Sequence, residues 1–160
     1  MSRDEPISTI AAPRLCLHAP QPGDVRLLAE AESLCFPDPW PAQYFISEIL
    51  AGGRFQRVVT DASGRLAAYL FTAWQYLDLH VLKVATLPGF RRKGLARRLM
   101  VIAESHCTES GGETITLEVR PSNEGAIALY EVLGYLRTGR RLHYYANGED
   151  ALVMTKQIST

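Results

Sequence analysis

A carboxylate, a phenol and a basic, glycine-containing turn are the parts of this 160-residue chain that could do chemistry. The turn is Arg91-Arg92-Lys93-Gly94-Leu95-Ala96. It follows an apolar run that reads as a strand (Val81 to Leu87) and a Pro88-Gly89 turn, and it opens a strongly patterned helix. The first N–H groups of a helix have no internal partners and the helix dipole favours anions there, so such a turn suits phosphates. Gly94 lets the backbone approach a ligand closely, and Arg91, Arg92 and Lys93 add charge that a pyrophosphate or ribose phosphate could use. The pattern is R-x-x-G-x-A. Neither a Walker loop nor a G-x-G-x-x-G dinucleotide turn is present, which argues against both of those classes. The competing reading of the turn is a solvated basic helix start.

Glu118 stands alone in Thr114-Ile115-Thr116-Leu117-Glu118-Val119-Arg120. The alternation puts Ile115, Leu117 and Val119 on one face and Glu118 on the other. There it is either a partly desolvated general base or an exposed strand carboxylate paired with Arg120 or a neighbour. Tyr130 could serve as a general acid, since a phenol keeps its proton at neutral pH, yet Ile127, Tyr130 and Leu133 also have core spacing. Asn123 either caps its own helix or turns its amide toward a ligand. Phe36 and Trp40 sit in Phe36-Pro37-Asp38-Pro39-Trp40-Pro41, where the prolines forbid helix interior. They cover the core or wall a small pocket for a peptide's first side chain. Tyr144 and Tyr145 are edge-strand aromatics or hold a peptide backbone. His18, His80, His106 and His143 show no metal-ligand spacing, and His106 reads as a core residue. No metal is expected.

The elements that must carry these residues follow from periodicity. A short strand over Leu15–His18 precedes a helix from Pro22-Gly23-Asp24 through Cys35, then a second helix over Ala42–Leu50. Strands follow at Phe55–Thr60, Leu66–Trp74 and Leu77–Leu87, the first two joined by a hairpin turn at Asp61-Ala62-Ser63-Gly64. A helix runs from Lys93 to Glu109 with Leu95, Leu99, Ile102, Ala103 and His106 on one face. A strand then carries Glu118, a helix carries Tyr130 to Leu133, and strands at Tyr135–Arg141 and Ala151–Thr155 finish the chain. The order specifies an α/β fold: a mixed central β-sheet of about seven strands with helices on both faces. Residues 1–13 read as a flexible leader and 14–160 as a single domain.

With 47% apolar residues and zero formal net charge, no global field draws the chain to nucleic acid or an anionic membrane. The longest apolar run is too short to span a bilayer, and the N-terminus lacks a signal-peptide core. Three widely spaced cysteines fit a reducing cytoplasm, with Cys16 and Cys107 read as buried small hydrophobes.

The stretch Leu117-Glu118-Val119-Arg120-Pro121-Ser122-Asn123 through Ala126-Ile127-Ala128-Leu129-Tyr130-Glu131 to Gly134-Tyr135 closely resembles the RimI-type N-terminal acetyltransferases of the GNAT superfamily. Phe36-Pro37 with Trp40, and Tyr144-Tyr145-Ala146-Asn147-Gly148-Glu149-Asp150-Ala151, resemble two further family motifs, so the likeness covers residues 15 to 156. It implies the GNAT fold and acetyl-CoA as cosubstrate, with Glu118 as general base, through water, and Tyr130 as general acid. Arg91, Arg92, Lys93, Gly94, Leu95 and Ala96 would line the pyrophosphate site, Asn123 would contact the cofactor, and backbone groups of Val84, Ala85 and Thr86 would bind pantetheine like an added strand. Phe36, Trp40, Tyr144 and Tyr145 would face the acceptor, a protein N-terminus such as that of a ribosomal protein. The alternatives are a small-molecule amine or lysine as acceptor, and a non-catalytic acetyl-CoA-binding module. Monomer and dimer both remain open.

Overall fold

A computed structural model describes residues 14–158; the expected leader, residues 1–13, lies outside them. The elements are β1 (Leu15–His18), α1 (Val25–Cys35), α2 (Ala42–Leu50), β2 (Gln56–Asp61), β3 (Leu66–Gln75), β4 (Asp78–Thr86), α3 (Leu95–Glu109), β5 (Thr114–Val119), α4 (Glu124–Val132), β6 (Leu136–Arg141) and β7 (Ala151–Gln157). The strands form one seven-stranded sheet in the order β1-β2-β3-β4-β5-β7-β6. Only β4 and β5 pair in parallel; the other neighbours are antiparallel. The mixed α/β sheet expected from the sequence is therefore present.

Each face of the sheet buries its own apolar cluster. Leu28 and Ala31 of α1 and Phe45 of α2 pack on Val58, Tyr69, Phe71 and Ala85. On the other face α3 and α4 cover Leu70, Leu79, Val81, Ile115, Leu117 and Val119. The alternation in β5 works as expected: Ile115, Leu117 and Val119 point into the second cluster, which sends Glu118 to the face shared with α1 and α2.

Several details differ from the periodicity. α3 begins at Leu95 rather than Lys93, because Gly94 (φ 75°) is left-handed and caps the helix. Its buried face is Leu95, Leu99, Met100, Ala103 and Cys107. Ile102 and His106 lie at the margin, and His106 stacks half-buried on Phe55 with ring centroids 4.0 Å apart. Burial holds the His106 pKa below its ordinary value. Cys107 is buried as expected, but Cys16 is exposed, on β1, a short edge strand of the sheet.

Two irregularities mark the centre of the sheet. The β3–β4 register shifts between Phe71 and Thr72, so that β4 carries one extra residue, Leu82, between Val81 and Lys83. A bulge bends its strand and sharpens the local twist. The parallel β4–β5 ladder stops at the same place: its last pair is Val81↔Leu117, although β4 continues to Thr86 and β5 to Val119. The C-terminal halves of the two central strands splay apart.

Candidate active site

The open wedge between β4 and β5 organises the site. Val84, Ala85 and Thr86 pair with β3 on one side only, opposite Leu70, Tyr69 and Ala68. Their other edge has no ladder partner among the described residues, which leaves backbone groups available to an extended ligand. The Thr86 hydroxyl oxygen is likewise buried with no hydrogen-bond partner. Just beyond lies the basic turn, with Arg91, Arg92, Lys93 and Gly94 all exposed. Arg92 (φ 63°) and Gly94 (φ 75°) are both left-handed. Left-handed residues in such a turn aim successive N–H groups at a common point, and the unpaired N–H groups of the α3 N-terminus add to them. Arg91, though exposed, is anchored. Its Nε donates to the Thr86 carbonyl (3.0 Å) and one Nη lies 3.8 Å from Cys35 Sγ, so it ties the turn to β4.

Glu118 is neither exposed nor paired with Arg120. Its side chain is 6% exposed, and its Oε1 accepts a hydrogen bond from His80 Nε2 at 2.6 Å. The Gln75 amide donates to the other ring nitrogen, Nδ1, at 3.2 Å, and that contact assigns the ring proton to Nε2. The chain Gln75–His80–Glu118 thus fixes the carboxylate from inside the sheet. Among the described residues, Glu118 Oε2 has no hydrogen-bond partner and has an ionic neighbour, Arg141 Nε at 3.3 Å.

Arg120 instead joins loops remote in sequence. It donates to Asp38 in the α1–α2 loop, and to Glu149 (2.9 Å) and Asn147 (3.2 Å) in the β6–β7 loop. Its guanidinium also lies 3.8 Å from the centre of the Tyr145 ring. Burial opposes its charge, but the hydrogen bonds to Glu149 and Asp38 outweigh that and hold its pKa above the usual value. Ser122 donates to Glu149 (2.7 Å) and completes the clasp.

The remaining expected residues fall on both sides of their alternatives. Tyr144 and Tyr145 pack edge to face at 5.0 Å near this clasp. Burial, then the Glu118 charge, pushes the Tyr144 hydroxyl up, and burial raises Tyr145 further. The rings of Phe36 and Trp40 flank the Lys83 ammonium, 3.8 Å from the Phe36 centroid and 5.5 Å from that of Trp40. Lys83 is paired at 2.7 Å with Glu32, which is fully buried and also accepts from Tyr69 Oη (2.6 Å) and the Trp40 N–H (3.1 Å). Asn123 caps α4, its Oδ1 accepting from the Ala126 N–H at 3.2 Å. Tyr130 is buried in the cluster under α3 and α4, so β5 separates it from Glu118 on the opposite face, and no hydrogen bond joins the two. Burial pushes its pKa up to about 12.

Sequence reasoning missed His80, Arg141 and the partners of Arg120. The alternation Leu79-His80-Val81 does signal a polar group on the Glu118 face; its proximity to Glu118 needs the β4–β5 register. Among the described residues, no group of three or more His, Cys, Asp or Glu is placed to hold a metal, and no helix is long and apolar enough to cross a membrane.

This arrangement has known counterparts. The chain matches the acetyltransferase (GNAT) family over residues 25–135. It is 36% identical over 124 residues to the ribosomal protein bS18-alanine N-acetyltransferase of Salmonella typhimurium, covering 76% of this chain and 82% of the relative. It is 29% identical over 150 residues to the N-terminal acetyltransferase A complex catalytic subunit NAA10 of Arabidopsis thaliana, covering 90% and 78% of the two chains. The crystal structure of the ribosomal-protein-S18-alanine N-acetyltransferase from Escherichia coli superposes with a TM-score of 0.82 at 29% identity, over 92% of this chain and 96% of that one. With its split central strands and basic helix-opening turn, the chain belongs to the GNAT acetyltransferase family and is an N-acetyltransferase, an acyl-transferring enzyme.

Proposed function

We propose that the protein acetylates the α-amino group of a protein N-terminus, with acetyl-CoA as the acyl donor. The observation that carries the mechanism is the buried Glu118 carboxylate, gripped by His80 on one oxygen and without a hydrogen bond on the other. Acetyl-CoA supplies an already activated thioester. The residues present fit it: the open edge at Val84, Ala85 and Thr86 and the orphaned Thr86 hydroxyl suit its pantetheine amides, and the turn from Arg91 through Ala96 suits its pyrophosphate. Asn123 spends its carbonyl on the helix cap and keeps its amide NH2 for the cofactor.

The protein's task is then positioning and proton movement. Glu118 takes the acceptor's ammonium proton at Oε2, through a water. His80 holds the carboxylate in place and supports its charge. Tyr130, across the sheet, keeps its proton until the departing sulfur needs one. Tyr144, Tyr145 and the aromatic wall of Phe36 and Trp40 line the acceptor's approach, with Lys83 closing the far end of that wall. An α-amine suits a carboxylate base: with a pKa near 8 it is roughly 10% neutral at pH 7, whereas a lysine amine is less than about 0.1% neutral. The names of the relatives favour a protein N-terminus, a ribosomal protein's included.

The test presents purified enzyme and acetyl-CoA with peptides bearing free N-termini, N-terminally blocked peptides with internal lysines, and polyamines, and follows CoA thiol release. Turnover is expected on the first group. Turnover confined to polyamines or to lysine side chains would overturn the reading.

A further inference from the structure

The carboxylate that must receive the acceptor's proton is covered. Glu118 Oε2 is buried, and the group lying against it is the Arg141 guanidinium, Nε at 3.3 Å. Arg141 ends β6, the outer edge strand, whose residues are exposed throughout, and its own side chain is 54% exposed. The same guanidinium stands 5.5 Å from the centre of the Tyr144 ring. His80 approaches the other oxygen from β4, so the two neighbours of Glu118 are unequal: one is locked inside the sheet, the other hangs on a flexible stem at the rim. The Arg141 contact also lacks hydrogen-bond geometry, since Oε2 remains without a hydrogen-bonded partner. A loosely held cation on a buried carboxylate can be exchanged for another cation at little cost.

We propose that Arg141 is a positioning residue that covers Oε2 of Glu118 in the resting enzyme, where the acceptor's ammonium and its relaying water must approach, and is displaced when the acceptor binds. The inference rests on Glu118 being the group that meets the amine. Arg141 and the relaying water with the ammonium behind it need the same approach to Oε2, so every acceptor competes with Arg141, and the displaced guanidinium swings outward along Tyr144. Until then it keeps Glu118 compensated in a site shielded from water.

Arg141→Gln removes the competitor without touching the Gln75–His80–Glu118 chain, whose His80–Glu118 pair is buried. The expected result, at a pH where the acceptor is mostly ammonium, is an acceptor KM lower by about threefold, the scale of an exposed ion pair, with kcat within about twofold. Arg141→Lys, which keeps a cation at the rim, should retain the wild-type KM. Guanidinium ion at millimolar concentration should raise the KM of the Gln variant toward wild type, competitively with peptide. An unchanged or increased KM in Arg141→Gln overturns the proposal, as does guanidinium leaving that variant untouched. Glu118→Gln run alongside separates the two readings. If it is inactive while Arg141→Gln keeps its KM, only the displacement model falls; if Glu118→Gln retains full kcat, the base assignment falls with it.

Discussion

Replacing Tyr130 by Phe should move activity and stability in opposite or unrelated directions. The residue is 7% exposed and lies against the Tyr135 ring at 6.0 Å, and its hydroxyl, which is not among the fully buried unpartnered polar atoms, makes no hydrogen bond among the described residues. A hydroxyl without a protein partner contributes little to folding, and deleting one at a mostly buried residue is neutral or stabilising by up to about 1 kcal/mol. Phe keeps the ring and its apolar burial, so packing is unchanged. For a domain of this size that places the Tm shift between zero and an increase of about 4 °C. Catalysis should respond differently. A positioned general acid contributes about a hundredfold or more, so kcat should fall by that factor while acetyl-CoA affinity holds. The pH dependence supplies a second check. With its pKa pushed to about 12, Tyr130 stays protonated through pH 10, where an ordinary tyrosine loses half its protons. The wild-type rate should therefore show no loss assignable to this phenol below about pH 11. The sign for stability is the same: a raised folded pKa favours the folded state below about pH 10 and that contribution fades as the pH climbs through 12. Thermal melts and CoA-release kinetics on the same preparations would decide it. A Tm drop corresponding to more than about 1 kcal/mol, or an unaltered kcat, would refute the reasoning.

Other substitutions probe the remaining parts. Glu118→Gln should lower kcat by about a hundredfold to ten-thousandfold, and His80→Phe by a smaller factor, with acetyl-CoA affinity retained in calorimetry for both. Glu32→Ala strands the Lys83 ammonium and the Tyr69 hydroxyl in a buried site, and should cost about 3–5 kcal/mol in urea unfolding. Adding Lys83→Met should recover part of that loss; a double variant less stable than the single would count against the ion-pair account. Gly94→Ala puts a side chain on a left-handed residue (φ 75°), at about 1 kcal/mol of strain, and should weaken CoA binding without altering the intrinsic peptide preference. Equilibrium dialysis with CoA would show whether it does.

Much of the architecture was legible because it rests on local rules. The alternation in β5 placed Glu118 away from the core, and the glycines and prolines located the turns around 61–64 and 88–94. What stayed hidden depends on register and on where strands end. His80 and Glu118 meet only because β4 and β5 run parallel with His80 level with Thr116, a pairing across α3 that no periodicity reports. Strict alternation would set Arg120 beside Glu118 on one face, but β5 ends at Val119 and Arg120 turns instead to Asp38 and Glu149. The marginal position of His106 reflects a small rotation of α3, fixed by Gly94 starting the helix two residues late. Lys83 reads as an intruder in an apolar strand until its buried counter-charge, Glu32 on α1, is seen.

The Arg120 clasp also bears on how the enzyme comes into being. One guanidinium fastens Asp38 to Glu149, residues from opposite ends of the chain, and such a link closes late because its loop-closure entropy must first be met by other contacts. The final strand, β7, must slot between β5 and β6 before the 142–150 loop can come to rest. During synthesis, then, the basic turn before α3 leaves the ribosome well before the Arg120 clasp can close, since β7 and the 142–150 loop emerge later.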